Sequence, residues 1–133
     1  MSLAVVDASV LTAFYVADDP RRAAVVARLA ARDALVAPAH IDAEVVSALR
    51  RLALRLPSLQ SAVPGALRHL ARFPVRRMPL APLLDRMWEL RANVTAYDAA
   101  YVAVAEELAA PVITCDAKLA AANGPRCEFE LIS

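Results

Sequence analysis

Leu3-Ala4-Val5-Val6-Asp7 is the stretch on which the fold turns: four apolar residues without alternation, then an acid. Such a run suits a strand buried on both faces of a parallel sheet, because a strand with one wet face would alternate apolar and polar residues. Ala34-Leu35-Val36-Ala37 before Pro38 and Pro111-Val112-Ile113-Thr114-Cys115 repeat the pattern. Val75 to Pro79 and Glu128 to Ile132 read as two further strands. Helical spacing fills the intervals. One helix is expected from Ser9 to Val16, and a second is restarted by Asp18-Asp19-Pro20 and ended by Arg32-Asp33. From Ile41 to Leu56 apolar residues fall at 41, 45, 49, 52 and 56, one helical stripe. Pro57 breaks it. Further helices are predicted from about Leu59 to Arg72, Leu83 to Arg91, Tyr97 to Leu108 and Asp116 to Ala122. Strands alternating with helices over short connections, without hairpin dipeptides, predict an α/β three-layer sandwich with a mostly parallel central sheet, one domain over residues 1–133.

Composition narrows the function classes. At 133 residues, 59% of them apolar, the chain buries a sizeable core without metals or disulfides holding it together, so a bound metal would serve function. Cys115 and Cys127 lack CxxC spacing, which agrees with a reducing compartment and with small buried side chains. The longest stretch without a charge, Leu56 to Leu67, has 12 residues and two prolines, whereas a membrane span needs about 20 apolar residues. The first residues carry no basic region and reach an acid at Asp7, so a cytoplasmic location is expected. Lys plus Arg number 15 against 14 Asp plus Glu, a net charge of +1, so RNA or DNA would need a local basic rim and not a basic protein. Fourteen of the basic residues are Arg and 31 residues are Ala, a bias that weakens propensity arguments and leaves periodicity to decide.

In an open parallel sheet, ligands bind beyond the carboxyl ends of the strands. Asp7 follows the first strand and Asp116 the Val112 to Cys115 strand, so both emerge at one edge. Asp98, near the start of its helix, and Glu44, in the first turn of the Ile41 helix, can lean over that same edge. Carboxylates gathered without Lys or His raise one another's pKa. A divalent cation resolves that conflict, and Mg²⁺ or Mn²⁺ prefers oxygen ligands and leaves positions for a phosphate. Each acid also has a capping explanation: Asp7 and Asp116 precede helices, Asp98 stands three residues after Thr95 as in a capping box, and Asp42 and Glu44 suit a helix N-terminus.

With these acids, Val5-Val6-Asp7-Ala8-Ser9, Ala43-Glu44-Val45 with Ala48-Leu49, Thr95-Ala96-Tyr97-Asp98-Ala99-Ala100-Tyr101 and Thr114-Cys115-Asp116-Ala117-Lys118-Leu119 follow in order. In these pieces, and over nearly its whole length, the chain resembles the PIN-domain family, in particular the VapC-type ribonuclease toxins of toxin and antitoxin pairs. The resemblance implies a metal-dependent endoribonuclease that hydrolyses RNA phosphodiesters, in many relatives tRNA or rRNA, and is silenced by a cognate antitoxin. It implies Asp7 and Asp98 as the main metal-binding carboxylates, with Glu44 and Asp116 completing the catalytic pocket around Mg²⁺, or Mn²⁺. Ser9 and Thr114 match hydroxyl positions beside such pockets, where they support the acids or serve only in capping and packing. Asn123 is the nearest candidate for a further pocket residue and has no fixed alignment.

Arg50, Arg51, Arg55, Arg68, Arg72, Arg76 and Arg77 are dense enough to meet RNA phosphates if they share a surface, and otherwise form a solvated face. Single histidines, His40 and His69, read as structural. Phe14, Tyr15, Val16, the apolar residues from Leu52 to Leu70, and Trp88 divide between core packing and a partner groove, where an antitoxin helix and a homodimer compete. Two rival readings remain: a PIN-type nuclease of RNA processing or structured DNA, using the same four acids, and a non-catalytic binding or signalling α/β domain. A phosphate-receiving signalling domain wants a Lys after its last strand, and none follows Ile132.

Overall fold

The computed structural model describes residues 2–133. Its elements, in chain order, are β1 (Leu3–Val6), α1 (Ala8–Tyr15), α2 (Arg22–Leu29), β2 (Ala34–Pro38), α3 (Ile41–Arg55), α4 (Pro57–Ala71) and β3 (Val75–Met78). A 3-10 turn at Ala81–Leu83 leads into α5 (Leu84–Glu89), followed by α6 (Ala96–Leu108), β4 (Val112–Thr114), α7 (Ala117–Ala120) and β5 (Phe129–Leu131). The sheet runs β3-β2-β1-β4-β5 and every pairing is parallel. The fold is therefore the expected helix-sheet-helix sandwich, with its parallel character complete. None of the described helices is long and apolar enough to cross a membrane.

The strand order places the functional edge. From β1 the chain winds outward to β2 and β3, then returns past β1 to β4 and β5, so the winding direction reverses between β1 and β4. Right-handed crossovers put the helices of the two halves on opposite faces, which opens a crevice at the carboxyl ends of the two strands where the direction reverses. Val5 pairs with Val112 and Val6 with Ile113, so the next residue on each strand, Asp7 and Thr114, arrives at that crevice side by side. The Asp7 N–H donates to the Ile113 carbonyl at 3.0 Å, fixing this register.

Burial explains the apolar runs. Val5, Val6, Val112 and Ile113 are fully buried, as a strand covered on both faces requires. Helix α6 packs on β1, β2 and β4 with α5 against it, and Ala99 to Ala105 are all buried. A helix enclosed on all sides loses its amphipathic period, and the small side chains Ala99, Ala100, Ala103 and Ala105 let it lie close to the sheet. In α3 the buried stripe is Ile41, Val45 and Leu49, so residues 44, 48, 51 and 55 form the adjacent stripe.

Several boundaries shift from expectation for local reasons. Helix α2 begins at Arg22, two residues past Pro20, because the Asp19 carboxylate receives the Arg21 N–H at 2.8 Å and its guanidinium, holding 19–21 as a turn. Pro57 does not merely end α3: it occupies the first turn of α4, where its missing N–H costs nothing, so that helix starts before Leu59. Helix α7 is one turn only, closing at Ala121 instead of Ala122.

Arg77, one of the candidate RNA contacts, is a structural anchor. Its guanidinium bonds both Asp42 oxygens at 3.1 and 2.9 Å and the carbonyls of Leu70, Phe73 and Val75, tying β3 to the start of α3 and the end of α4. Asp42 thereby acts through an ion pair more than through the helix dipole. Arg77→Ala strands three carbonyls and should lower unfolding stability in urea by about 2 kcal/mol. An unchanged urea midpoint would contradict this role.

Candidate active site

Asp7, Glu44, Asp98 and Asp116 line one cleft of ≈ 390 Å³ at the crevice, with Ala8, Ser9, Thr12, Ala48 and Leu52 as its floor and Arg21, Arg51 and Arg55 at its rim. All four acids singled out in the sequence thus share one surface. They come from four elements: the end of β1, the first turn of α3, the first turn of α6 and the loop after β4.

Three of the four are anchored in the same manner, through one oxygen. Asp7 is 5% exposed, and Ser9 Oγ and Thr114 Oγ1 both donate to its Oδ2 at 2.7 Å. Those hydroxyls are held in turn, since the Cys115 N–H donates to Ser9 Oγ and the Asp116 N–H to Thr114 Oγ1, each at 2.9 Å. Backbone donors at the end of β4 therefore orient the hydroxyls that orient Asp7. Glu44 Oε1 accepts the Tyr101 hydroxyl at 2.7 Å and lies 2.9 Å from His40 Nε2. Asp116 Oδ1 accepts the N–H groups of Lys118 and Leu119, capping α7. In each case the doubly bonded oxygen is pinned and the second oxygen stays clear of those donors.

The capping readings resolve residue by residue. Asp116 caps α7 and borders the cleft at once. Thr95 caps α6 by accepting the Asp98 N–H at 3.1 Å, which fixes Asp98 over the cleft. The Asp7 side chain caps nothing, although it stands at the N-cap position of α1.

Burial and mutual repulsion dominate the electrostatics. Desolvation raises the Asp7 carboxyl above its ordinary range, opposed by the two hydroxyls and reinforced by Glu44. Asp98 is pushed up to about 6, first by burial and then by Asp7, Asp116 and Glu44. Tyr101 is held far above the usual phenol range by burial and by Glu44, so its hydroxyl stays a donor.

The donor set is carboxylate oxygen throughout, the hard-ligand chemistry of Mg²⁺ and Mn²⁺. Among the described residues no three His, Cys, Asp or Glu side chains enclose a single point as a ready cage. Asp7, Glu44 and Asp116 each keep one oxygen pinned at the cleft, and Asp98 stands beside them. The residues fit a divalent ion held through one or two carboxylates and water.

Sequence reasoning missed four contributors to this site, two that line the cleft, Arg21 and Thr12, and two that hold Glu44, Tyr101 and His40. Arg21 lies beyond the quoted motifs. Tyr101 was visible in the Asp98 motif, at the spacing of one helical turn. His40 precedes α3 and reads as a lone histidine until Glu44, four residues on, is placed on the same face. Thr12 lies one turn after Ala8, and its hydroxyl donates back to the Ala8 carbonyl. Of the arginines proposed, Arg51 and Arg55 reach the cleft; Arg68 and Arg72 line a separate hollow with His69 and Phe73. Asn123 is not among the residues lining the cleft. Another hollow, of ≈ 490 Å³, sits at the opposite edge where Pro111 leads into β4, and of its two acids, Glu106 and Glu128, the first is already taken by Arg86 and the Arg126 N–H.

A PIN-domain family model matches residues 4–125. The chain belongs to the PIN-domain family. Ribonuclease VapC12 of Mycobacterium tuberculosis is 42% identical over 83% of this chain and 85% of that protein. Ribonuclease VapC9 of the same organism is 38% identical over 96% of this chain and 97% of its own length. The crystal structure of Mycobacterium tuberculosis VapC20, described as a Sarcin-Ricin loop cleaving toxin, superposes with a TM-score of 0.70 at 21% identity, covering 89% of this chain and 93% of that one. It shares the PIN fold.

The electrostatics of this PIN domain predict its acid response. Asp98 titrates near 6 when folded against an ordinary value of 3.8, so between those values the folded chain binds more protons and stability rises as pH falls. Asp98→Asn removes a half-buried charge and its repulsion by the other acids, and should stabilise the protein at pH 7.5 in chelator by about 1 kcal/mol, solvent screening absorbing the rest. Thermal melts in EDTA at pH 7.5 and 5 should show the wild type gaining on acidification more than the variant. Equal gains would contradict the raised Asp98 carboxyl.

Proposed function

We propose that this PIN domain is a metal-dependent endoribonuclease acting as the toxin of a toxin and antitoxin pair. The observation that carries the reading is the convergence of Asp7, Glu44, Asp98 and Asp116 on one cleft whose rim is arginine. The ribonuclease names of relatives covered along most of their length support RNA as substrate.

Asp7 and Asp98 would hold Mg²⁺ or Mn²⁺, with Glu44 and Asp116 completing the site. When bound, such an ion polarises a phosphodiester and lowers the pKa of an attacking water. The protein's part is to hold the acids in place and oriented. Ser9 and Thr114 pin Asp7, and Tyr101 and His40 pin Glu44, so each presents its second oxygen without rotamer search. Arg51 and Arg55, one helical turn apart on α3, meet RNA phosphates flanking the scissile bond. The same reading implies a cytoplasmic location, a cognate antitoxin and a homodimer. The exposed Leu54, Leu56 and Trp88 are apolar side chains open to such partners. Most of the apolar residues divided between core packing and a groove join the core, as ordinary packing has it, among them Val16, Leu59 and Leu70.

Purified protein incubated with total cellular RNA and Mg²⁺ or Mn²⁺ should give discrete fragments, absent in chelator. Asp7→Asn and Asp98→Asn should each reduce cleavage by more than about 100-fold, because even residues that only support a metal ligand are worth about 10- to 100-fold. Thr114→Val should fall in that lower range. Cleavage that persists in chelator, or in both Asn variants, would falsify the reading.

A further inference from the structure

Beside the acidic cleft lies a second hollow of ≈ 400 Å³, lined by His40, Ala43, Glu44, Ser47, Arg51 and Tyr97. Glu44 and Arg51 line both, so the two hollows share a wall. On α3 the second hollow takes the stripe 40, 43, 44, 47 and 51, the face next to the stripe 44, 48, 51 and 55 that meets the acids. Its far wall is Tyr97, the residue immediately before Asp98.

Tyr97 is 65% exposed and its ring is open to a guest in this hollow. The ring is positioned all the same. His40 lies 5.9 Å from it, centroid to centroid, and His40 Nε2 is 3.1 Å from the Tyr97 carbonyl oxygen. The other neighbour of that nitrogen, Glu44 Oε1, is also an acceptor, so Nε2 carries the hydrogen that both receive. His40 also stacks 5.2 Å from Tyr101, whose hydroxyl bonds Glu44. One histidine thus braces the exposed ring and a carboxylate of the cleft together. The buried His40 Nδ1 has no hydrogen-bond partner among the described residues.

We propose that this hollow is a nucleobase subsite, in which Tyr97 stacks the base adjoining the cleaved phosphate while Arg51 holds the phosphate between the two hollows. Aromatic rings on a cationic groove are the recurrent means of holding single-stranded nucleic acid, since every base offers a π-face. Besides His40 and Glu44, which hold each other, the walls supply the Tyr97 ring, the Arg51 guanidinium and the Ser47 hydroxyl, which suits a base and its phosphate better than a purely apolar guest. The subsite makes single-stranded or unstacked RNA the favoured substrate, because a base held in a duplex cannot reach Tyr97. It rests on the ribonuclease reading above.

The test compares the initial rate of Mn²⁺-dependent cleavage against total RNA concentration for wild type, Tyr97→Phe and Tyr97→Ala. Tyr97→Ala should raise the apparent KM about 10-fold, the loss of one base stack, with kcat changed far less. Tyr97→Phe keeps the ring and should behave as wild type. The exposed position leaves the melting temperature of both variants near that of wild type, separating loss of the subsite from loss of the fold. An unchanged apparent KM in Tyr97→Ala, or equal losses in the Phe and Ala variants, would overturn the subsite and leave the ribonuclease standing. A wild-type protein that cuts no RNA would overturn both, and that failure is visible before any Tyr97 variant is made.

Discussion

A carboxylate, Asp7, is buried at the carboxyl end of the central strand, 5% exposed and surrounded by other acids. Burying such a charge is costly unless donors or counter-charge meet it. The structure supplies donors through a short relay, from the Cys115 and Asp116 N–H groups to the Ser9 and Thr114 hydroxyls and from there to Oδ2. That relay works only because β1 and β4 are parallel neighbours in the register that sets Asp7 beside Thr114. Strand order, register and site chemistry are one constraint viewed at three scales.

The relay offsets part of the cost and leaves the rest. Asp7 and Asp98 both remain raised by desolvation and like charge. The protein therefore gives up stability at neutral pH to keep four acids around one cleft, a common arrangement at functional sites. Tyr101 and His40 extend the same logic to Glu44. Tyr101 belongs to α6 and His40 meets its first turn, so that enclosed helix does more than fill the core: it aligns Asp98, Tyr101 and Tyr97 with the acids of β1 and α3.

Much of this was legible in the sequence, because fully buried strands and their terminal acids leave local signatures. Leu3 to Val6 and Val112 to Thr114 are continuous apolar runs that only a two-sided sheet explains, and each delivers an acid within two residues. The order β3-β2-β1-β4-β5 has no such local signature; it is settled by crossovers whose packing is nonlocal. The arginines show the same limit. Arg51 and Arg77 look alike in sequence, yet one rims the cleft and the other is consumed by Asp42 and three carbonyls, a distinction made by partners 35 or fewer residues away. His40 and Tyr97 belong to the site through contacts between α6 and the start of α3 that no single-segment pattern encodes.

The central claim, that the four carboxylates form one cation centre, is tested most directly by anomalous diffraction from crystals of the protein grown with Mn²⁺. The account predicts an anomalous peak in the cleft bordered by Asp7, Glu44, Asp98 and Asp116, lost in Asp98→Asn crystals. Manganese bound elsewhere, with the cleft empty of anomalous density in the wild-type protein, would contradict it.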